Sequence, residues 1–126
     1  MLRPRVIPVL LFKNDGLVKS VKFKNHKYVG DPINAIKIFN DKEVDELIFL
    51  DIDASKNNIP PNFELISQIA SECFMPVCYG GGINSLKQIE KILKLGIEKI
   101  AINTQNLKDS NFIKKVTLLI FNLLLR

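Results

Sequence analysis

Short apolar runs alternate with helical periods along almost the whole chain. No other feature constrains the fold as strongly. The runs fall at residues 6–12, 47–52, 76–79 and 100–102, the last entered from Lys99. Runs of this length suit strands buried on both faces of a parallel sheet. Between them lie segments with apolar residues at helical spacing. Ile33, Ile36 and Phe39 mark a helix over 32–41, with Asp31 as its N-cap and Pro32 at its first position. Phe63, Ile66 and Ile69 mark one over 63–73, capped by Asn62. Leu86, Ile89 and Ile92 mark one over 86–95, capped by Asn84 or Ser85 and stopped by Gly96. Phe112, Ile113 and Val116 mark a fourth over 109–119. The order β-α-β-α-β-α-β-α with short connections predicts an α/β fold, a parallel sheet with right-handed crossovers. Pro8 cannot donate to a ladder, so a local irregularity is expected in the first strand.

At 126 residues, 47% hydrophobic and 25% charged, the chain has material for one domain with one core. Its formal charge is +5, with Lys13, Lys19, Lys22, Lys24 and Lys27 crowded into one stretch. Such a stretch reads either as a solvated basic loop, with His26 exposed in it, or as an attractor for an anion such as a phosphorylated metabolite. The basic stripe with interleaved aromatics that marks nucleic-acid binders is absent from the sequence, so no nucleic-acid partner is expected. Apolar runs stay well short of the roughly 20 residues of a membrane span, and residues 1–5 lack signal-peptide character; a cytoplasmic protein is the expectation. Cys73 and Cys78, with His26 remote, form no zinc spacing; both are expected to be buried thiols, with no metal or cofactor.

Three sets of residues could carry chemistry. Gly80, Gly81 and Gly82 follow the third strand and precede a helix, so backbone amides there could receive a phosphate; a plain tight turn is the other reading. Asn103 and Thr104 end the fourth strand and could add donors to the same anion. Asp51 and Asp53 flank the end of the second strand. There a carboxylate serves as a general base, accepts a substrate hydroxyl, or merely caps the next turn. At the opposite ends of the strands stand Arg5, Glu46 and Lys99. They are either exposed charges of little consequence or a paired ring facing inward.

Several of these segments, in order, resemble the cyclase subunit of imidazole glycerol phosphate synthase (HisF). They are RVIPVLLFKNDGLVKSVKF from Arg5, GDP at 30–32, DELIFLDIDAS at 45–55, PVCYGGGI at 76–83 and EKIAINT at 98–104. The resemblance runs over about residues 1–116. The family fold is a (βα)₈ barrel of roughly 250 residues. The resemblance therefore implies a parallel (βα)₄ half-barrel, the N-terminal half of a TIM barrel. It implies phosphate or substrate binding by Lys19, Asp51, Gly81, Gly82, Asn103 and Thr104. It also implies an ammonia gate of Arg5, Glu46 and Lys99, and contact through Glu98 with a HisH-like glutaminase partner. The family activity is ammonia-dependent cyclisation and cleavage of a bisphosphorylated ribulosyl intermediate in histidine biosynthesis.

This chain departs from that pattern at one decisive place. Leu11 stands where the family has its first catalytic aspartate, and a leucine cannot transfer a proton. The second aspartate belongs to a fifth strand that the chain does not reach. The fragment is thus expected to be inactive alone, with no catalytic residue of its own. A HisF-like ammonia relay for a sugar amidotransferase in surface-polysaccharide pathways, or a non-functional gene fragment, are the alternatives. An open half-barrel would also invite a homodimer through its edges. Residues 117–126, TLLIFNLLLR, read as an atypical apolar tail of the kind a truncation or frameshift leaves.

Overall fold

A computed structural model describes residues 3–13, 16–22, 24–54, 56–102 and 109–124. The chain runs β1 (Val9–Lys13), β2 (Gly16–Val21), β3 (Lys24–Gly30), α1 (Pro32–Asp41), β4 (Leu47–Asp51), α2 (Phe63–Glu72), β5 (Val77–Gly80), α3 (Leu86–Lys94), β6 (Lys99–Ala101), α4 (Phe112–Leu124). These strands form one six-stranded sheet in the order β3-β2-β1-β4-β5-β6. β1, β4, β5 and β6 are parallel neighbours, each followed later in the chain by a helix. The fold is α/β with a mostly parallel sheet.

The parallel register sorts residues onto two faces. Leu10 lies opposite Phe49, Leu47 opposite Val77, and Phe49 opposite Tyr79, which in turn faces Ile100. This face meets the helices. Phe12, Leu47, Phe49, Val77 and Tyr79 join Ile36 of α1, Ile66 and Ile69 of α2, Ile89 and Ile92 of α3, and Val116 of α4 in one core. Phe12 sits at the centre, 6.4 Å from both the Phe49 and Tyr79 rings. Each such buried ring contributes about 2–3 kcal/mol. The other face carries Val9, Leu11, Ile48, Leu50, Cys78 and Ala101, all half-buried or exposed, with Val9 at 53%. The expectation of strands buried on both faces fails here. No described element covers this face.

Three helix starts follow from their caps. Asp31 accepts from Asn34 N at 3.2 Å, Asn62 from Leu65 N at 3.1 Å, and Ser85, rather than Asn84, from Gln88 N at 3.3 Å. Gly96, at φ 108°, ends the turn after α3. The first strand starts at Val9 instead of residue 6. Pro8 precedes it, contributing only its carbonyl, which accepts from Ile48 N at 3.0 Å.

The lysine-rich stretch is not a loop. β2 and β3 form an antiparallel ribbon that joins β1 through Leu11↔Val18 and Phe12↔Leu17. The Tyr28 ring packs over Gly16, where a Cβ would lie 2.6 Å from it. His26 is half-buried, not exposed, although Lys24 and Tyr28 two residues to either side are exposed; its Nδ1 is buried without a hydrogen-bond partner among the described residues. The apolar tail continues α4 as far as Leu124.

Candidate functional site

The strand-start end gathers charge. Glu46, just before β4, accepts from Lys99 Nζ at 2.7 Å and pairs with Arg5 Nη2 at 3.2 Å. The glutamate is largely enclosed, 12% exposed, while its two cations are more than half exposed. Parallel pairing brings these strand starts within side-chain reach of one another. Val6 N donates to Asp45, which fixes Arg5 next to Glu46, and β5 carries the register across to Lys99. The Lys99 hydrogen bond, aided by Arg5, holds the Glu46 carboxyl below the usual glutamate range despite its burial. Cys78 lies opposite Lys99 in the register. Burial pushes its thiol up, while the Lys99 charge pulls the other way. Glu98 is exposed and donates its backbone N–H to Val77 O at 3.1 Å, leading into β6.

The strand-finish end is a locked pair of turns. Asp51 Oδ1 accepts from Asp53 N and Ala54 N, both at 3.0 Å, so its carboxylate caps the turn after β4. Gly81 and Gly82 pack into that turn. A Cβ on Gly81 would lie 2.6 Å from Asp51 O, and one on Gly82 2.6 Å from Ile59 O. Their φ values of 123° and 71° belong to the left-handed side that glycine tolerates. Buried Tyr79 donates its hydroxyl to Gly81 O at 3.0 Å, and burial, with Asp51 nearby, pushes its phenol pKa up. The glycines do not open α3 directly. That helix starts at Leu86, and Asn84 N and Gln88 N are taken by Gln88 Oε1 and Ser85 Oγ.

The other expected residues separate. Asn103 and Thr104 lie outside the described residues. Lys19 is exposed on β2 directly opposite Lys27. By alternation it is on the face of the ribbon away from Val18, the partner of Leu11. Leu11 is half-buried beside Leu50 on the uncovered face and supplies no acid. Sequence reasoning missed the Lys13–Asp53 ion pair, 3.4 Å long. Its only signal is the Phe12↔Asp51 register, which becomes visible once β1 and β4 are aligned. Cys73 and Cys78 are free and half-buried rather than fully enclosed. Burial, with Glu72 adjacent, raises the Cys73 thiol to about 11. Among the described residues no cluster could hold a metal, and no helix is long and apolar enough to cross a membrane.

The described structure is thus a mostly parallel α/β sheet with a shared carboxylate at its strand starts and a glycine turn at its strand ends. Comparison makes the class definite. The chain belongs to the histidine biosynthesis protein family, whose model matches residues 5–120. A Pseudomonas aeruginosa protein named for the HisF-type subunit of imidazole glycerol phosphate synthase is 65% identical over 116 residues, 92% of this chain and 46% of the relative. A Vibrio vulnificus protein so named is 57% identical over 116 residues, 92% of this chain and 45% of the relative. One from Leptospira borgpetersenii is 52% identical over 113 residues, 90% of this chain and 44% of the relative. The chain spans about half the length of the curated relatives it matches.

Proposed function

We propose that this chain is the N-terminal (βα)₄ half of a HisF-type cyclase subunit, in which it supplies the ammonia entrance and one phosphate site but no acid–base group. The observation that carries this is Glu46 held by both Lys99 and Arg5 at the strand starts, across 53 residues of sequence in the case of Lys99. A cation–carboxylate cluster at the axis end of a parallel barrel can exclude bulk ions and pass a small neutral molecule such as ammonia. At the other end, Gly81 and Gly82, with Asn103, Thr104, Lys19 and Asp51, are the groups proposed to receive a phosphorylated sugar. Leu11 leaves that end without a proton donor, so the half binds and guides rather than reacts. The names of the relatives favour this reading over an ammonia relay to a sugar amidotransferase. A glutaminase subunit is the expected partner, contacting Glu98, and the cytoplasm the expected location.

The test supplies the missing half from the Pseudomonas relative and follows ammonia-dependent consumption of the bisphosphorylated substrate. With Leu11 present, turnover should be absent; with Leu11→Asp it should appear. No turnover in the Leu11→Asp complex would count against the cyclase reading. A second reading concerns assembly. β6 is an edge strand and Val9 on the uncovered face is 53% exposed, so a second copy of the chain is a candidate to cover that face. Light scattering across a concentration series distinguishes dimer from monomer.

A further inference from the structure

We infer that Lys13 is a further cation of the phosphate site, passing from Asp53 to the anionic group of the phosphorylated ligand, with the Tyr28 ring as a wall beside it; this rests on the phosphate reading proposed above. Lys13 closes β1 on the uncovered face, two residues beyond Leu11. Its neighbour Phe12 pairs with Asp51, and Gly81 packs against Asp51. The ammonium therefore stands at the same end of the sheet as the glycine turn. Beside it Leu11, Leu50 and Gly80 are successive partners across three strands. They make an apolar floor on which no side chain rises from Gly80. Tyr28 pairs with Val18 and Val18 with Leu11, so its ring is on this same face. There it lies over Gly16, the partner of Lys13, and it is 67% exposed. An exposed tyrosine offers an apolar body to a sugar ring and a hydroxyl to a sugar oxygen.

The Lys13–Asp53 pair is loose enough to exchange. Nζ and Oδ2 are 3.4 Å apart, against 2.7 Å for Lys99 and Glu46 at the other end of the sheet. A charge-assisted N–H···O bond closes to about 2.7–2.9 Å. The lysine side chain is 33% exposed and the aspartate 19%, so water reaches the pair and weakens it. An ammonium has three N–H donors, and one carboxylate oxygen at this distance leaves donors for the oxygens of a phosphate. A phosphate monoester also carries close to two negative charges at neutral pH, against one on Asp53, so it wins the competition for Lys13. Lys19 lies on the other face of the ribbon and is placed less directly over this floor. Asp53 thus parks the ammonium at the floor until a stronger anion arrives.

The experiment titrates the full chain with ribose 5-phosphate and, separately, with inorganic phosphate. Amide spectra follow binding and check that each variant is folded. Lys13→Met should weaken both anions by about tenfold or more, the loss expected for a hydrogen bond between charged groups. Lys19→Met should cost less. Asp53→Asn removes the competing carboxylate and should tighten both by roughly two- to fivefold, the weight of a partly exposed pair. Tyr28→Ala should weaken ribose 5-phosphate more than inorganic phosphate, because only the sugar meets the ring. Lys37→Met, which removes an exposed charge on α1, is the control and should change nothing. Equal binding by Lys13→Met and the unsubstituted chain overturns the inference alone, and so does weaker binding by Asp53→Asn. No binding of either anion by the unsubstituted chain overturns the phosphate reading, and the inference with it.

Discussion

The two faces of the sheet obey different rules. Phe49 and Val9 lie on strands that pair directly, yet one is fully enclosed and the other 53% exposed. On the helix face, every strand residue at the core positions is large and apolar, and three aromatic rings meet there. On the uncovered face, the side chains are smaller and interrupted by the charges of Lys13 and Lys99. Stability is therefore concentrated on one side, and the other is left for chemistry or for a covering partner. A parallel sheet with one bare face is unusual, since such sheets are ordinarily covered on both sides.

Substitutions on the two faces should therefore differ most. Phe49→Ala is expected to cost about 3–5 kcal/mol, whereas Val9→Ala, already in solvent, should cost less than about 1 kcal/mol. Urea unfolding of the two variants measures the contrast, and similar losses would mean that the bare face is covered in solution. Next in size is Gly82→Ala. A methyl group there meets Ile59 O and requires φ 71°, so a loss of about 2 kcal/mol is expected in the same assay. Tyr79→Phe removes only the hydroxyl bond to Gly81 O and should cost about 1 kcal/mol.

The smallest effect belongs to Glu46. Its folded-state pKa is depressed by Lys99 and Arg5. A depressed carboxyl contributes stability above its unfolded value, near about 4.3 for glutamate, and loses it as pH falls through the folded value. The unsubstituted chain should therefore melt above Glu46→Gln at neutral pH, and the two should converge on acidification below pH ~4. A difference in melting temperature that stays constant with pH would assign the effect to packing instead of charge.

Much of the parallel core can be read from periodicity alone. Asp31–Pro32, Asn62 and Ser85 mark helix starts because a short polar side chain before an apolar period has one good use, to cap. Glu46 and Lys99 converge because one precedes and the other opens a strand, and parallel strands bring their starts together; Arg5, four residues before β1, is brought in by the bond from Val6 N to Asp45. The ribbon escaped for the opposite reason. Its lysines and its Gly16–Tyr28 contact give no clean apolar alternation, and its pairing is set by tertiary register. The bare face escaped too, because an apolar residue awaiting cover looks like one already covered. The candidate phosphate site is only half visible in the fold. Gly81 and Gly82 are accounted for by packing, and their place in a ligand cradle rests on the family resemblance.

The glycine turn has a mechanical consequence. Gly81 packs against Asp51, and Gly82 against Ala54 and Ile59, with no space for a methyl group between them. The two segments thus behave as a single rigid body, like meshed teeth. Anything gripped by one is gripped by both, and a displacement at the tip of β5 must be felt at the tip of β4 without any intervening messenger.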